Sequence, residues 1–217
     1  MLLERKKIAM ILAEFLGTAI LTAVVLAVSK SNLGALAYFV SLAAGLAVAA
    51  GTLVFGAVSG AHFNPAITIG LWSARRIKTL PALVYVAAQL LGGVAAYLLY
   101  TYFVNASWAN SGVYSPRLLV AEAVGAFVFS LGWAAVVYNK LVGGQAAFVI
   151  GGSLILGILI ASVASAGLLN PAVALGARSW GWGTYVLGPV LGAVIGFNLY
   201  ALLFAPASSL ASPVKKK

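Results

Sequence analysis

The sequence predicts an all-α membrane protein, six transmembrane helices plus two short re-entrant half-helices, built from one unit repeated in opposite orientations. Three observations predict it. Of 217 residues, 63% are hydrophobic and 7% charged, with mean hydropathy +1.09, whereas about a quarter of the residues of a soluble domain are charged. Several runs reach the roughly 20 apolar residues that a ~30 Å hydrocarbon core requires. Finally, Glu14 and Glu122 sit inside such runs, and each is followed about fifty residues later by Asn-Pro-Ala.

The first span, 8–29, contains Glu14. A basic patch precedes it and "ALA" at 35–37 resembles a cleavage site, but the run is too long for a signal peptide and ends at Lys30. The second span covers 33–58. Next comes the first Asn-Pro-Ala segment, "SGAHFNPAITIGLW" at 59–72, and then a third span at 80–104. The second half runs in the same order: a span at 118–138 with Glu122, a span at 145–166, Asn170-Pro171-Ala172, and a last span at 182–204. The repeats thus cover about 8–104 and 118–204 of one transmembrane domain, 1–217.

Local similarities hold the two halves in register. "AEFLGT" from Ala13 matches "AEAVGA" from Ala121, Asn64 and Asn170 follow their glutamates by 50 and 48 residues, and "QLLGGVAAYLLY" at 89–100 is similar to "PVLGAVIGFNLY" at 189–200. An odd number of spans per half makes the second half enter the membrane from the opposite face. Inverted repeats with polar helix starts at matching positions point to a central transport pathway.

Composition also excludes functions. There is no soluble stretch for a catalytic or nucleotide-binding domain and no phosphate-cradling glycine loop, so neither an enzyme nor an ATP-driven pump is expected. Cysteine is absent, which removes disulfides and thiolate metal sites; no metal or cofactor is expected. The net charge of +10 does not indicate nucleic acid, because the basic residues flank apolar spans. A cytoplasmic N-terminus puts Arg5, Lys6, Lys7, Arg75, Arg76, Lys78, Lys140, Lys215, Lys216 and Lys217 inside and leaves Lys30, Arg117 and Arg178 outside. That asymmetry predicts cytoplasmic N- and C-termini. In a prokaryotic host the membrane would be the plasma (inner) membrane.

Asparagine favours the helix N-cap and proline the first helical position, so each Asn-Pro-Ala starts a helix. The runs that follow, "AITIGLW" and "AVALGA", end before Arg75 and near Arg178 and are too short to span. Non-helical backbone at membrane depth is tolerated only inside protein or beside a water-filled cavity. Two half-helices therefore dip in from opposite faces and meet near the midplane. Glu14 and Glu122 can each accept hydrogen bonds from the re-entrant loop of their own half. The alternative is a proton-relay carboxylate of a coupled transporter, which has no need of a symmetric copy.

These segments, with "AAQLLGGVAA" at 87–96, "AEAVGAF" at 121–127 and "GPVLGAVIG" in the last quarter, resemble the aquaporin, or major intrinsic protein, family over nearly the whole chain. The resemblance implies a homotetramer of right-handed six-helix bundles in membrane lipid, one pore per protomer, conducting water or small neutral solutes passively. It implies pore-facing Asn64 and Asn170 that donate to a passing oxygen, and a His62 that lines the cytoplasmic vestibule. A pH-dependent gate at His62 competes there with simple loop packing.

The chain departs from the family at the extracellular constriction. Orthodox water channels place arginine directly after the second Asn-Pro-Ala, with a histidine on the fifth span and an aromatic residue on the second. Here the corresponding positions are Val173, Ile158 and Ala44, with Gly167 as the fourth. Arg178 lies five residues beyond Val173, about 140° around a helix, and reads as a charge near the helix end. The expectation is a wider, donor-poor constriction that passes glycerol, urea, ammonia or undissociated metalloid acids as well as water. A hydrophobic constriction can also dewet and close, so a poorly conducting structural member and a transporter using Glu14 or Glu122 remain the alternatives. Gly188, Gly192 and Gly196 on the last span, with Gly92 and Gly93 in its counterpart, read as close helix crossings. Trp108, Tyr114, Trp180 and Trp182 read as interfacial anchors, and the "NAS" at 105–107 as part of an outer loop.

Overall fold

The computed structural model describes residues 2–31, 37–106, 114–179 and 181–210. Trp108, Trp180, Ser107 and Lys215 to Lys217, invoked above, lie outside the described residues. Helix α1 spans Leu2–Lys30, α2 Ala37–Ser59, α3 Pro65–Ser73, α4 Thr79–Val104, α5 Pro116–Asn139, α6 Gly143–Ala161, α7 Pro171–Gly176 and α8 Gly188–Leu203, and α9 is a short turn at Ala207–Leu210. No strand occurs among the described residues. Among the described residues six helices are long and apolar enough to cross a membrane, and the protein is an integral, multi-pass membrane protein. Large apolar side chains point outward along them, among them Leu12, Ile20, Leu53, Val54, Leu98 and Phe148, as a lipid solvent allows.

Packing follows the repeat. Helix α1 lies against α2 and α4, as α5 lies against α6 and α8, while α2 packs on α6 across the two halves. The half-helices cross over: α3 packs mainly on α8 and α7 on α4. Glycine makes the tight crossings possible. A Cβ at Gly92 would run into the Phe15 carbonyl oxygen, and one at Gly192 into that of Ala123. Phe15 and Ala123 each follow the glutamate of their own half, so these are the same crossing seen twice. Gly188 and Gly196 likewise press against Leu119 and Ser130 of α5.

The fifth span is shorter than its hydropathy indicates. The expected 145–166 ends as a helix at Ala161, because Ser165 turns back to hydrogen-bond Glu122 and the apolar residues after it form the second re-entrant loop. The last span, expected at 182–204, begins as a π-helical turn, Gly183–Leu187, before α8.

Candidate functional site

The two half-helices begin as their sequences dictate. Asn64 has an extended backbone and its Oδ1 accepts from Ala66 N–H, with Pro65 at the first helical position. Asn170 does the same for α7, accepting from Ala172 N–H at 2.9 Å and Val173 N–H at 3.3 Å. The loops ahead of them are strained. Ala61, Phe63 and Leu169 have positive φ, a region costly for residues with a Cβ. Gly60 and Gly167 occupy it as well, where glycine has no such penalty.

Two buried glutamates hold those loops. Glu14 Oε1 accepts from the Ser59 hydroxyl (2.6 Å) and His62 N–H (3.0 Å), and its Oε2 from Phe63 N–H (2.8 Å) and the Gln89 amide (2.7 Å). Glu122 Oε1 accepts from the Ser165 hydroxyl (2.7 Å) and Leu168 N–H (3.0 Å), and its Oε2 from Leu169 N–H (2.7 Å). The serines in turn accept from Ala61 and Gly167 N–H. A carboxylate offers only acceptor sites, and here it meets the donors that a non-helical loop leaves without helical partners.

Across the repeat, each asparagine reaches the other loop. The Asn64 amide donates to the Leu169 carbonyl and the Asn170 amide to the Phe63 carbonyl, both at 2.9 Å. Both asparagines border a narrow cavity of about 20 Å³ together with His62 and the four positions Ala44, Ile158, Gly167 and Val173. A site needs roughly 10–15 Å³ to hold one water, so this space can hold about one. The four positions carry no side-chain donor, and Leu21, Val25, Phe129, Leu154 and Leu168 line the same space. Arg178 lies with its guanidinium 5.1 Å from the Tyr97 ring centre and does not border this cavity.

His62 is fixed from several directions. Its Nδ1 lies 3.1 Å from the Thr68 hydroxyl, and its ring meets Tyr85 and Trp133 edge to face. Sequence reading missed Ser59, Ser165, Thr68, Gln89 and Trp133. A glutamine inside an apolar span is a signal that could have found Gln89, and the Ser-x-x-x-x-Asn spacing shared by both loops could have found the serines. No group of three or more potential metal ligands occurs among the described residues.

A family model described as Major intrinsic protein matches residues 2–200. Aquaporin Z of Photorhabdus laumondii is 33% identical over 223 residues, 89% of this chain and 96% of that protein. Glycerol uptake facilitator protein-like 6 of Lactiplantibacillus plantarum is 32% identical over 207 residues, 85% of this chain and 93% of that protein. The X-ray structure of the aquaglyceroporin from Plasmodium falciparum superposes with a TM-score of 0.78 at 24% identity, covering 94% of this chain and all of that one.

Proposed function

Because the chain belongs to the major intrinsic protein family, we propose that it is a passive channel for water and small neutral solutes, with one pathway in each protomer. The observation that carries this reading is the pair of asparagine amides on the wall of a narrow, mostly apolar cavity where two half-helices meet. A carboxamide has two N–H donors. Each asparagine commits one to the opposite loop and has a second for a permeant oxygen. A water held by both amides must point its own hydrogens away along the file, which interrupts a proton wire, and the positive helix N-termini disfavour cations. Glu14 and Glu122 act as fixed acceptors that shape the loops.

Ala44, Ile158, Gly167 and Val173 form the selectivity constriction in this reading. They supply no side-chain donor, so hydrogen bonding discriminates weakly and glycerol, urea, ammonia or undissociated metalloid acids join water as permeants. His62 borders the narrow cavity at the end that faces the cytoplasmic vestibule. The N- and C-termini are cytoplasmic: the charge asymmetry supports this, as does Arg76, beyond the end of α3, which donates to the Ser209 carbonyl near the C-terminus. The apolar outer faces suit lipid and a homotetramer.

A solute panel in proteoliposomes, read by stopped-flow light scattering, tests the proposal. Wild type should pass water and at least one of glycerol and urea above protein-free vesicles, and Val173→Arg should lower the uncharged-solute rates by tenfold or more. Unchanged selectivity in that variant would show that the constriction lies elsewhere. The narrow apolar cavity favours a second reading, a dewetted and poorly conducting family member, which predicts no rate above bare vesicles.

A further inference from the structure

Two cavities lie end to end along the same three helices. The narrow one touches Val48 on α2, Phe129 on α5 and Leu154 on α6. A wide one, about 420 Å³, touches Thr52, Trp133 and Ile150. Each step is four residues, about one turn, and stays on the same helix face. These are successive lengths of one path, yet the two cavities share no lining residue. At their junction His62, which borders the narrow cavity, meets Trp133, which borders the wide one, edge to face with ring centres 5.5 Å apart.

Trp133 has a second unusual property. It is 3% exposed, and its indole N–H is buried without a hydrogen-bond partner. Buried indoles ordinarily find one, and an unpaired buried donor carries a desolvation penalty. Packing alone would be served by phenylalanine or leucine without that penalty. An indole at this junction is accounted for by a visitor that carries an acceptor. Its partner in the contact is held in place, since His62 is tied by its backbone to Glu14 and by its ring to Thr68. Trp133 is the member of the contact with open space beside it, because it lines the wide cavity.

We propose that Trp133 determines specificity in the inner half of the pathway, as a ring that stands against His62 and narrows the junction and as a donor to the oxygen of the molecule that passes. The permeants it selects are water and small neutral molecules bearing a hydroxyl or carbonyl oxygen. The proposal rests on the channel reading and assigns discrimination to the end opposite Val173, where the chain retains rings and a donor.

The test compares wild type, Trp133→Leu and Trp133→Phe in proteoliposomes, each first checked for monodispersity by size-exclusion chromatography, with water and glycerol permeabilities measured on the same vesicles. Trp133→Leu removes the ring and should raise the glycerol-to-water ratio at least fivefold. Trp133→Phe keeps a ring without the donor and should slow water about fivefold. A conducting Trp133→Leu protein with an unchanged ratio overturns the proposal while leaving the channel intact. If the leucine variant does not stay monodisperse, the phenylalanine variant decides alone, and unchanged water permeability overturns the proposal. Should neither wild type nor any variant exceed bare vesicles, the channel reading fails and this inference with it.

Discussion

Around the first re-entrant loop, Glu14 accepts four hydrogen bonds, one of them from Gln89 of α4, and Gln89 continues to Thr68 and so to His62. Around the second, Glu122 accepts from Ser165, Leu168 and Leu169, and among the described residues no side-chain amide joins it. The residues that correspond to His62, Thr68 and Gln89 are Leu168, Ala174 and Pro189. One architecture thus carries a histidine–threonine–glutamine network on one side of the midplane and leucine, alanine and proline at those positions on the other. The minimum needed to hold a re-entrant loop is what both sides share: a carboxylate, a serine and two backbone N–H groups. The network around Gln89 is additional, and it lies behind the histidine that meets Trp133.

The largest effect should come from removing the shared element. A stranded buried donor costs about 1–3 kcal/mol, so Glu14→Leu, which strands four, should abolish most stable protein. Glu122→Leu should fall somewhat less far, and thermal midpoints in detergent by fluorescence-detected chromatography would rank them. Equal loss in both variants would mean that the Gln89 bond adds nothing.

A smaller effect of equal size is expected at the crossing that both halves use. Gly92→Ala and Gly192→Ala each push a methyl group into a facing carbonyl, and overpacking costs about 1–3 kcal/mol. Midpoints that drop for one and not the other would break the equivalence of the halves.

The smallest effect sharpens the difference itself. Gln89→Leu takes one of two donors from Glu14 Oε2 and leaves the Thr68 hydroxyl with fewer partners, a loss of about 1 kcal/mol. Pro189→Leu touches no such network and should move the midpoint by less than about half as much. Measured shifts in the reverse order would place the Gln89 network outside the energetics of the loop.

Much of this was legible in sequence because the signals are local. Six apolar runs, two Asn-Pro helix starts and two glutamates in register are enough to arrange the spans and half-helices. Span ends were less legible. Hydropathy cannot distinguish an apolar residue in a helix from one in a buried loop, so 162–166 reads as span although Ser165 turns it back toward Glu122. Partners far apart in sequence were not legible either: Gln89 lies 75 residues from Glu14. Nor could the alignment of Val173 with an absent arginine reveal which leucines and valines from other helices line the space beside it.

The reciprocal amide bonds also bear on assembly. Asn64 is fixed by a carbonyl 105 residues later in the chain and Asn170 by one 107 residues earlier. A ribosome that has delivered only the first half has made every span of that half but no finished site. The first loop must wait, with one asparagine donor unpaired, until the second loop arrives from the opposite face. Maturation of the centre is then a single late event shared by both halves, and a truncated chain that inserts correctly still lacks it.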